Sequence, residues 1–113
     1  MACVFCEIVA GRLPARKAYE DDALLAFHDV NPQAPTHLLV IPKRHVGSLL
    51  EAGPAEDGLI GCMARKAREL AQQLGHGERG FRIVMNCGPD SGYSVFHVHL
   101  HLLGGRSLGW PPG

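Results

Sequence analysis

Histidine alternates with apolar residues along residues 96–103, Phe-His-Val-His-Leu-His-Leu-Leu. Successive side chains of a β-strand point to opposite faces of the sheet. A strand over 97–103 would therefore place His97, His99 and His101 on one face and the apolar residues between them on the other. We predict such a strand, with its apolar face in the core and its histidine face in a functional site.

The remaining pattern predicts four further strands. We expect them at 17–20, 23–28, 36–42 and 81–86. The first two flank Asp21-Asp22, an arrangement typical of a hairpin with a tight turn. The third is a nearly continuous apolar run that ends at Pro42, which indicates a buried central strand.

Two helices complete the predicted elements. Apolar residues recur at 3.6-residue spacing between Gly53-Pro54 and Gly75, so the long helix begins after the first and ends at the second. One or two helical turns are expected over 3–10. This order predicts one α+β domain over 1–113, with a mostly antiparallel five-stranded sheet, one long helix and a short N-terminal helix.

Composition narrows the class of protein. Hydrophobic residues make up 46% of the 113 residues, and 11 Lys and Arg balance 11 Asp and Glu. A chain without net charge lacks the field that attracts nucleic acid or a membrane surface, so neither is an expected partner. The first residues show no leader pattern and no apolar run is long enough to span a bilayer, so we expect a cytoplasmic protein. Its four cysteines are then thiols or metal ligands.

The three histidines allow two chemical interpretations besides mere exposure to solvent. A metal site of the His-x-His type needs one or two further ligands from elsewhere in the chain. A nucleophilic site needs hydrogen-bond donors for an anion around one histidine. The residues alone leave both open.

A glycine-rich loop at 86–95 leads into the predicted histidine strand. Glycines let the backbone approach a ligand closely, although they also serve simply to turn the chain. Asn86 and Ser94 offer uncharged hydrogen-bonding groups at the two ends of this loop. We expect them to contact a phosphate or its leaving group.

The segment 97–103 matches the His-φ-His-φ-His-φ-φ signature of the histidine triad (HIT) nucleotide-binding proteins, where φ is apolar. Residues 26–37, 40–45 and 103–113 resemble the Hint branch in particular, the purine nucleoside phosphoramidases. The likeness covers almost the whole chain.

The resemblance implies a catalytic role for the triad. His99, the middle histidine, would attack the α-phosphorus of a nucleoside 5′-phosphoramidate or acyl-nucleotide and form a nucleotidyl-histidine that water hydrolyses. His101 would bind the phosphate oxygens, and His97 completes the catalytic set. Ser94 would contact the phosphate or the leaving nitrogen, and Asn86 the phosphate. No cofactor is expected for catalysis.

The resemblance also implies a nucleoside site. Asp29 would accept hydrogen bonds from the ribose hydroxyls, and His37 would lie near the site as a supporting residue. The apolar slot for the purine would be formed by Phe5, Ile8, Phe27 and Val30. We expect the substrate to be a purine nucleotide.

Cys3 and Cys6 have the Cys-x₂-Cys spacing with which two thiolates bind one metal ion. Some bacterial HIT proteins and the related hexose-phosphate uridylyltransferases resemble this arrangement, and they imply His45 and His97 as the other two ligands. Zinc held by four protein ligands would be structural. The alternative is a pair of reduced thiols beside the purine slot.

Resemblance to Hint proteins further implies a homodimer in which the tail 110–113 reaches toward the partner's active site. Three other functions stay open. One is a regulatory or scaffold protein with incidental hydrolase activity, the second is a dinucleoside polyphosphate hydrolase, and the third is a metal enzyme that uses His97 and His99 directly.

Overall fold

The computed structural model describes residues 3–113, so Met1 and Ala2 of the predicted domain lie outside it. Its sheet has the order β1-β2-β3-β5-β4, and every neighbouring pair is antiparallel. The elements are α1 Val4–Val9, β1 Lys17–Glu20, β2 Leu24–His28, β3 Thr36–Pro42, α2 Asp57–Gln73, β4 Phe81–Val84 and β5 Leu100–Gly104. The predicted α+β class, with five strands, one long helix and a short N-terminal helix, is confirmed.

The two faces of the sheet bury different sets of side chains. On one face the apolar stripe of α2 packs against alternate residues of β2, β3 and β5, among them Leu38, Val40 and Leu102. On the other face Phe5 of α1 packs against the intervening residues of β2 and β3. The period of two along each strand thus separates a structural face from the face that carries the histidines.

Local sequence explains where the helices begin and end. Cys3 caps α1, because its Sγ accepts a hydrogen bond from the backbone N–H of Cys6 at 3.4 Å. Gly11 and Gly75 follow the two helices with φ of +80° and +86°, a conformation that L side chains rarely adopt. A short 3₁₀ turn at Pro54–Glu56 precedes α2, which accounts for the three residues between Gly53 and the start of the helix.

The histidine strand is shorter at its N-terminal end than the sequence predicts. β5 begins at Leu100, so His97 and His99 precede it instead of belonging to it. In the β3–β5 register Val40 faces Leu100, which would place Pro42 opposite Val98. Pro42 has no N–H to donate, and the N–H of Val98 instead donates to the carbonyl of Val46. The alternation survives, because Val98, Leu100 and Leu102 are all buried in the α2-facing core.

The strand predicted at 81–86 also ends earlier, at Val84. Met85 follows the strand, and Asn86 begins the glycine-rich loop, which contains a 3₁₀ turn at Pro89–Ser91 between Gly88 and Gly92. Both glycines have positive φ, +87° and +82°. Across residues 3–113, no helix combines the length and the apolar character needed to cross a bilayer.

Candidate active site

Pairing between β3 and β5 brings His37 and His101 together. His101 lies opposite Leu39, which makes His37 its diagonal neighbour on the same face. Nε2 of His37 is 2.9 Å from Nδ1 of His101, and both side chains are largely shielded from solvent. Burial lowers the pKa of His37 and, with the neighbouring histidines, lowers the pKa of His101 to about 4. Both imidazoles are therefore neutral at pH 7.

The hydrogen bonds determine which nitrogen of each ring carries the proton. The backbone N–H of Gln33 donates to Nδ1 of His37 at 3.0 Å, so a neutral His37 is protonated at Nε2. That Nε2–H donates to Nδ1 of His101. His101 must then carry its own proton on Nε2, which makes this atom a neutral hydrogen-bond donor.

His99 is oriented by the backbone of the triad itself. Its Nδ1 is 2.8 Å from the carbonyl oxygen of His97, which can only accept, so Nδ1 carries the proton. Nε2 of His99 is left with a free lone pair. The ring is packed edge-on against Phe5 at 5.2 Å between centroids and stacked on Tyr93 at 5.5 Å, with 14° between the ring planes. An imidazole that is buried and held on two sides by aromatic rings has a fixed orientation, which is what a nucleophilic role would require.

The other residues assigned to the nucleotide lie around the cluster of His37, His99 and His101. Asp29 follows β2, and its carboxylate accepts from the N–H of Asn31 and lies 3.4 Å from Nε2 of His37. Phe5 and Phe27 meet edge to face at 5.6 Å, and Ile8 packs against the same cluster. Val30 is fully exposed, and its side chain is not part of the cluster that contains the two phenylalanines.

Asn86 and Ser94 lie at the two ends of the glycine-rich loop. Asn86 is half-buried and Ser94 is exposed, which leaves both amide and hydroxyl accessible to a ligand. No protein hydrogen bond to either side chain is present within residues 3–113. Because these two groups have no protein partner to give up, they are suited to form hydrogen bonds with phosphate oxygens.

The four predicted metal ligands come together around Nδ1 of His97. The thiols of Cys3 and Cys6 approach Nδ1 of His97 at 3.4 and 3.5 Å, and Nδ1 of His45 is 3.4 Å from Cys6 and 3.2 Å from His97. All four donor atoms lie within 4.8 Å of one another. The Cys-x₂-Cys pair on α1 is thus brought to two histidines that are distant in sequence.

This donor set fits zinc. Neighbouring ligand atoms around a tetrahedral zinc, with bonds of about 2.0–2.3 Å, are about 3.3–3.8 Å apart. Nε2 of His97 lies 2.7 Å from the carbonyl oxygen of Pro42, so its proton is on Nε2 and its Nδ1 lone pair faces the thiols. Burial lowers the pKa of His97, which keeps the ring neutral as a metal ligand must be.

A sequence profile of the HIT domain matches residues 10–108. The chain belongs to the HIT family. A HIT-like protein from Synechocystis, described as uncharacterised, is 50% identical over 110 residues, which cover 97% of this chain and 96% of that protein. A protein from Zea mays named 14 kDa zinc-binding protein is 45% identical over 112 residues, 97% of this chain and 87% of its own length.

Solved HIT structures agree with the fold. The crystal structure of a HIT family hydrolase from Legionella pneumophila superposes with a TM-score of 0.97 at 46% identity, covering 99% of this chain and 100% of that one. This HIT protein therefore has the fold of HIT family hydrolases.

The sequence pattern did not single out Tyr93 as a residue of this site. Tyr93 is only 8% exposed, stacks on His99 and donates from its hydroxyl to the carbonyl oxygen of Gly47. A tyrosine inside a glycine-rich loop carries no periodic signal. In the sequence, only its position next to Ser94 indicates that Tyr93 lies close to the face of the sheet that carries the histidines.

Proposed function

We propose that this HIT protein is a nucleoside phosphoramidase of the Hint type, which hydrolyses purine nucleoside 5′-phosphoramidates or acyl-nucleotides to nucleoside monophosphate. The observation that carries the proposal is the hydrogen bond from Nδ1 of His99 to the His97 carbonyl, 2.8 Å long. It leaves a lone pair on Nε2 in a ring that is only 7% exposed. Attack on phosphorus needs such a pair held in a fixed direction.

In the first step Nε2 of His99 forms a bond to phosphorus as the phosphorus–nitrogen bond breaks. The leaving nitrogen keeps the electron pair of that bond and takes one proton, which in this proposal comes from water through the hydroxyl of Ser94. The nucleotidyl-imidazole carries a positive charge, and the His97 carbonyl stabilises it through the Nδ1–H. In the second step water attacks phosphorus, the bond to His99 breaks with its pair returning to Nε2, and the water's proton goes to solvent.

Neutral donors bind the phosphate in this account. The relay from Gln33 through His37 gives His101 a proton on Nε2, and that N–H donates to a phosphate oxygen. Asn86 adds an amide N–H from the glycine-rich loop. Donors that are already oriented need no reorganisation during the reaction, which is why they lower the barrier.

The nucleoside is assigned to the side of the site on which Asp29 lies. The Asp29 carboxylate accepts hydrogen bonds from the ribose hydroxyls, and it neighbours His37 at 3.4 Å. Phe5, Phe27 and Ile8 offer apolar surface to the purine, and the exposed side chain of Val30, next to Asp29 in the chain, is assigned to the same surface. Apolar walls with one oriented acceptor are typical of nucleoside sites and do not by themselves select adenine over guanine.

We also propose that zinc binds Cys3, Cys6, His45 and His97. Four protein donors leave no open position, so the ion would supply folding free energy and no catalytic step. The name of the maize relative supports this assignment. Thiolate ligands persist in a reducing compartment, consistent with a cytoplasmic protein.

The test is a panel of adenosine and guanosine 5′-phosphoramidates and aminoacyl-adenylates. Wild type should release nucleoside monophosphate, and His99→Ala should lose about 10³-fold or more in kcat/KM, because no other group replaces the nucleophile. His76→Gln is the matched control, since His76 bonds Thr36 on the α2-facing side of β3, the face opposite His37, and should leave turnover unchanged. Hydrolysis that survives His99→Ala unchanged would contradict the proposal.

A further inference from the structure

Tyr93 lies against one face of the His99 ring and has no part in the reaction as described so far. The two rings are stacked, with 5.5 Å between their centroids and 14° between their planes. Tyr93 is 8% exposed and His99 is 7% exposed, so both rings are shielded from solvent. In such a contact the π face of a tyrosine acts most strongly on a neighbouring charge, because little water screens it.

The Tyr93 ring is held in place by two contacts on its own side. Its hydroxyl donates to the carbonyl oxygen of Gly47, and Phe96 packs on the ring edge to face, with 5.5 Å between centroids. Burial raises the pKa of Tyr93, so the hydroxyl keeps its proton at pH 7. A phenol that donates a hydrogen bond has a more electron-rich ring. Tyr93 therefore presents a fixed, neutral and electron-rich face to His99.

The proposed reaction places a positive charge on the His99 ring. When Nε2 uses its lone pair to bond phosphorus, the ring becomes a nucleotidyl-imidazolium. Its Nδ1–H donates to the His97 carbonyl at 2.8 Å, and a carbonyl oxygen does not take up the proton. The charge therefore remains on the ring until the bond to phosphorus breaks and the pair returns to Nε2. A buried cation is unfavourable unless a neighbouring group compensates for it.

No carboxylate supplies that compensation within residues 3–113. The ring of His99 forms its one hydrogen bond there with the His97 carbonyl, and the Asp29 carboxylate lies 3.4 Å from His37 instead. Two other rings, those of Phe5 and His101, meet His99 at steep angles of 89° and 63°. Tyr93 is thus the described neighbour whose π face lies parallel to the ring that becomes charged.

We infer that Tyr93 stabilises the nucleotidyl-imidazolium of His99 through a cation–π interaction. The inference rests on the phosphoramidase function proposed above and adds a residue to its mechanism. The charge develops in the first step and disappears in the second, so the π face accelerates nucleotidylation and lengthens the lifetime of the intermediate. A ring that only fixed the orientation of His99 would do so whatever its electron density.

The experiment varies the electron density of the ring at nearly constant shape. Tyr93→Phe is compared with proteins that carry, at position 93, a phenylalanine with one, two or three ring fluorines. Each fluorine withdraws electron density from the π face and should slow nucleotidylation of His99 by adenosine 5′-phosphoramidate, measured by rapid quenching, to about 10-fold below Tyr93→Phe with three fluorines. The fraction of nucleotidylated protein at steady state should fall in the same order. Tyr93→Leu, which has no π face, should be at least as slow.

The same fluorinated series at Phe81 is the matched control. Phe81 is partly buried against the α2-facing core, and its fluorination should leave nucleotidylation unchanged. All members of the Tyr93 series lack the same hydroxyl, so loss of the bond to Gly47 affects them equally.

Two results separate this inference from the function on which it rests. Nucleotidylation at one rate whatever the number of fluorines at position 93, or an equal decline in the Phe81 series, would overturn the role of Tyr93 while the phosphoramidase stands. A wild-type protein that forms no adduct and releases no adenylate would overturn the proposed function itself.

Discussion

At the scale of single residues, each histidine of the triad has one ring nitrogen paired with a backbone acceptor or with another ring. His97 donates to the Pro42 carbonyl, His99 donates to the His97 carbonyl, and His101 accepts from His37. These partners leave three different free atoms: a lone pair on Nδ1 of His97, a lone pair on Nε2 of His99 and an N–H at Nε2 of His101. In the proposed function these atoms bind the metal, attack phosphorus and donate to the phosphate, respectively.

His101 should make stability depend on pH. Its pKa falls from 6.5 to about 4 because it is buried near His99 and His37. Between these values the unfolded chain binds a proton that the native chain does not, so the free energy of unfolding decreases as pH falls from about 6.5 to about 4. The expected loss is on the order of 1–2 kcal/mol, discounted because His101 is half-buried.

Thermal melts between pH 7 and pH 4 measure this effect. His101→Gln should show a shallower decline than wild type over the same range, because its side chain does not titrate. The carboxylates of the chain are the same in both proteins, so their contributions to the pH dependence cancel in the comparison. Parallel stability curves for the two proteins would contradict the assigned protonation of His101.

The sequence predicts which residues form this site better than it predicts how they act. The alternation at 97–101 correctly indicates that Val98 and Leu100 enter the core. The proton positions depend on contacts between residues remote in sequence, such as Gln33 N–H to His37 and His101 to His37. The β3–β5 register, which creates the second of these contacts, is not visible in either segment alone.

At the scale of elements, strand and helix bounds follow local signals where those signals are strong. Thr36–Pro42 was predicted with the observed bounds, because an apolar run ends at a proline. β5 was predicted too long at its start, since the reason it begins at Leu100 is the missing N–H of Pro42 on a neighbouring strand. The alternation of histidine and apolar residues before β5 does not show that the facing residue on β3 is a proline without an N–H group.

The proposed zinc site would join α1 to the segment before β5, so its removal should loosen both. Cys3→Ser/Cys6→Ser should lose bound zinc and more than about 2 kcal/mol of stability, because metal binding is coupled to folding. Metal analysis of protein purified without a histidine tag and thermal melts measure the two effects. His97 also holds the carbonyl that orients His99, so kcat should fall together with stability.

Cys62→Ser is the control for this experiment. Cys62 is a half-buried thiol on α2, and its loss should change neither zinc content nor the melting temperature by a comparable amount. Wild-type protein with less than about a tenth of a zinc per chain, and a double variant that melts like wild type, would exclude the site and leave two reduced thiols.

At the scale of the whole molecule, two features point to a second copy of the chain. β4 pairs only with β5 in the described chain and is an edge strand of the sheet. An uncovered edge is a surface for strand pairing, and Ile83 on β4 is 41% exposed. Trp110 in the C-terminal tail is 83% exposed, which is unusual for a tryptophan without a partner.

We predict a homodimer joined through β4. Light scattering at micromolar concentration should give twice the mass of the chain, and Ile83→Lys should shift the protein toward monomer because like charges would meet across a twofold axis. Leu13→Lys is the matched control, since Leu13 is 40% exposed and lies in the link from α1 to β1, the strand at the opposite edge of the sheet from β4. A wild-type monomer at this concentration would contradict the prediction.

Rapid quenching followed by intact-mass spectrometry detects whether His99 becomes covalently nucleotidylated during turnover. Protein mixed with adenosine 5′-phosphoramidate and quenched in a single turnover should carry one adenylyl group, and fragmentation should locate it on His99. His99→Ala should carry none and release no adenylate above background. Steady release of adenylate by wild type with no adduct at any quench time, together with undiminished activity of His99→Ala, would contradict the account.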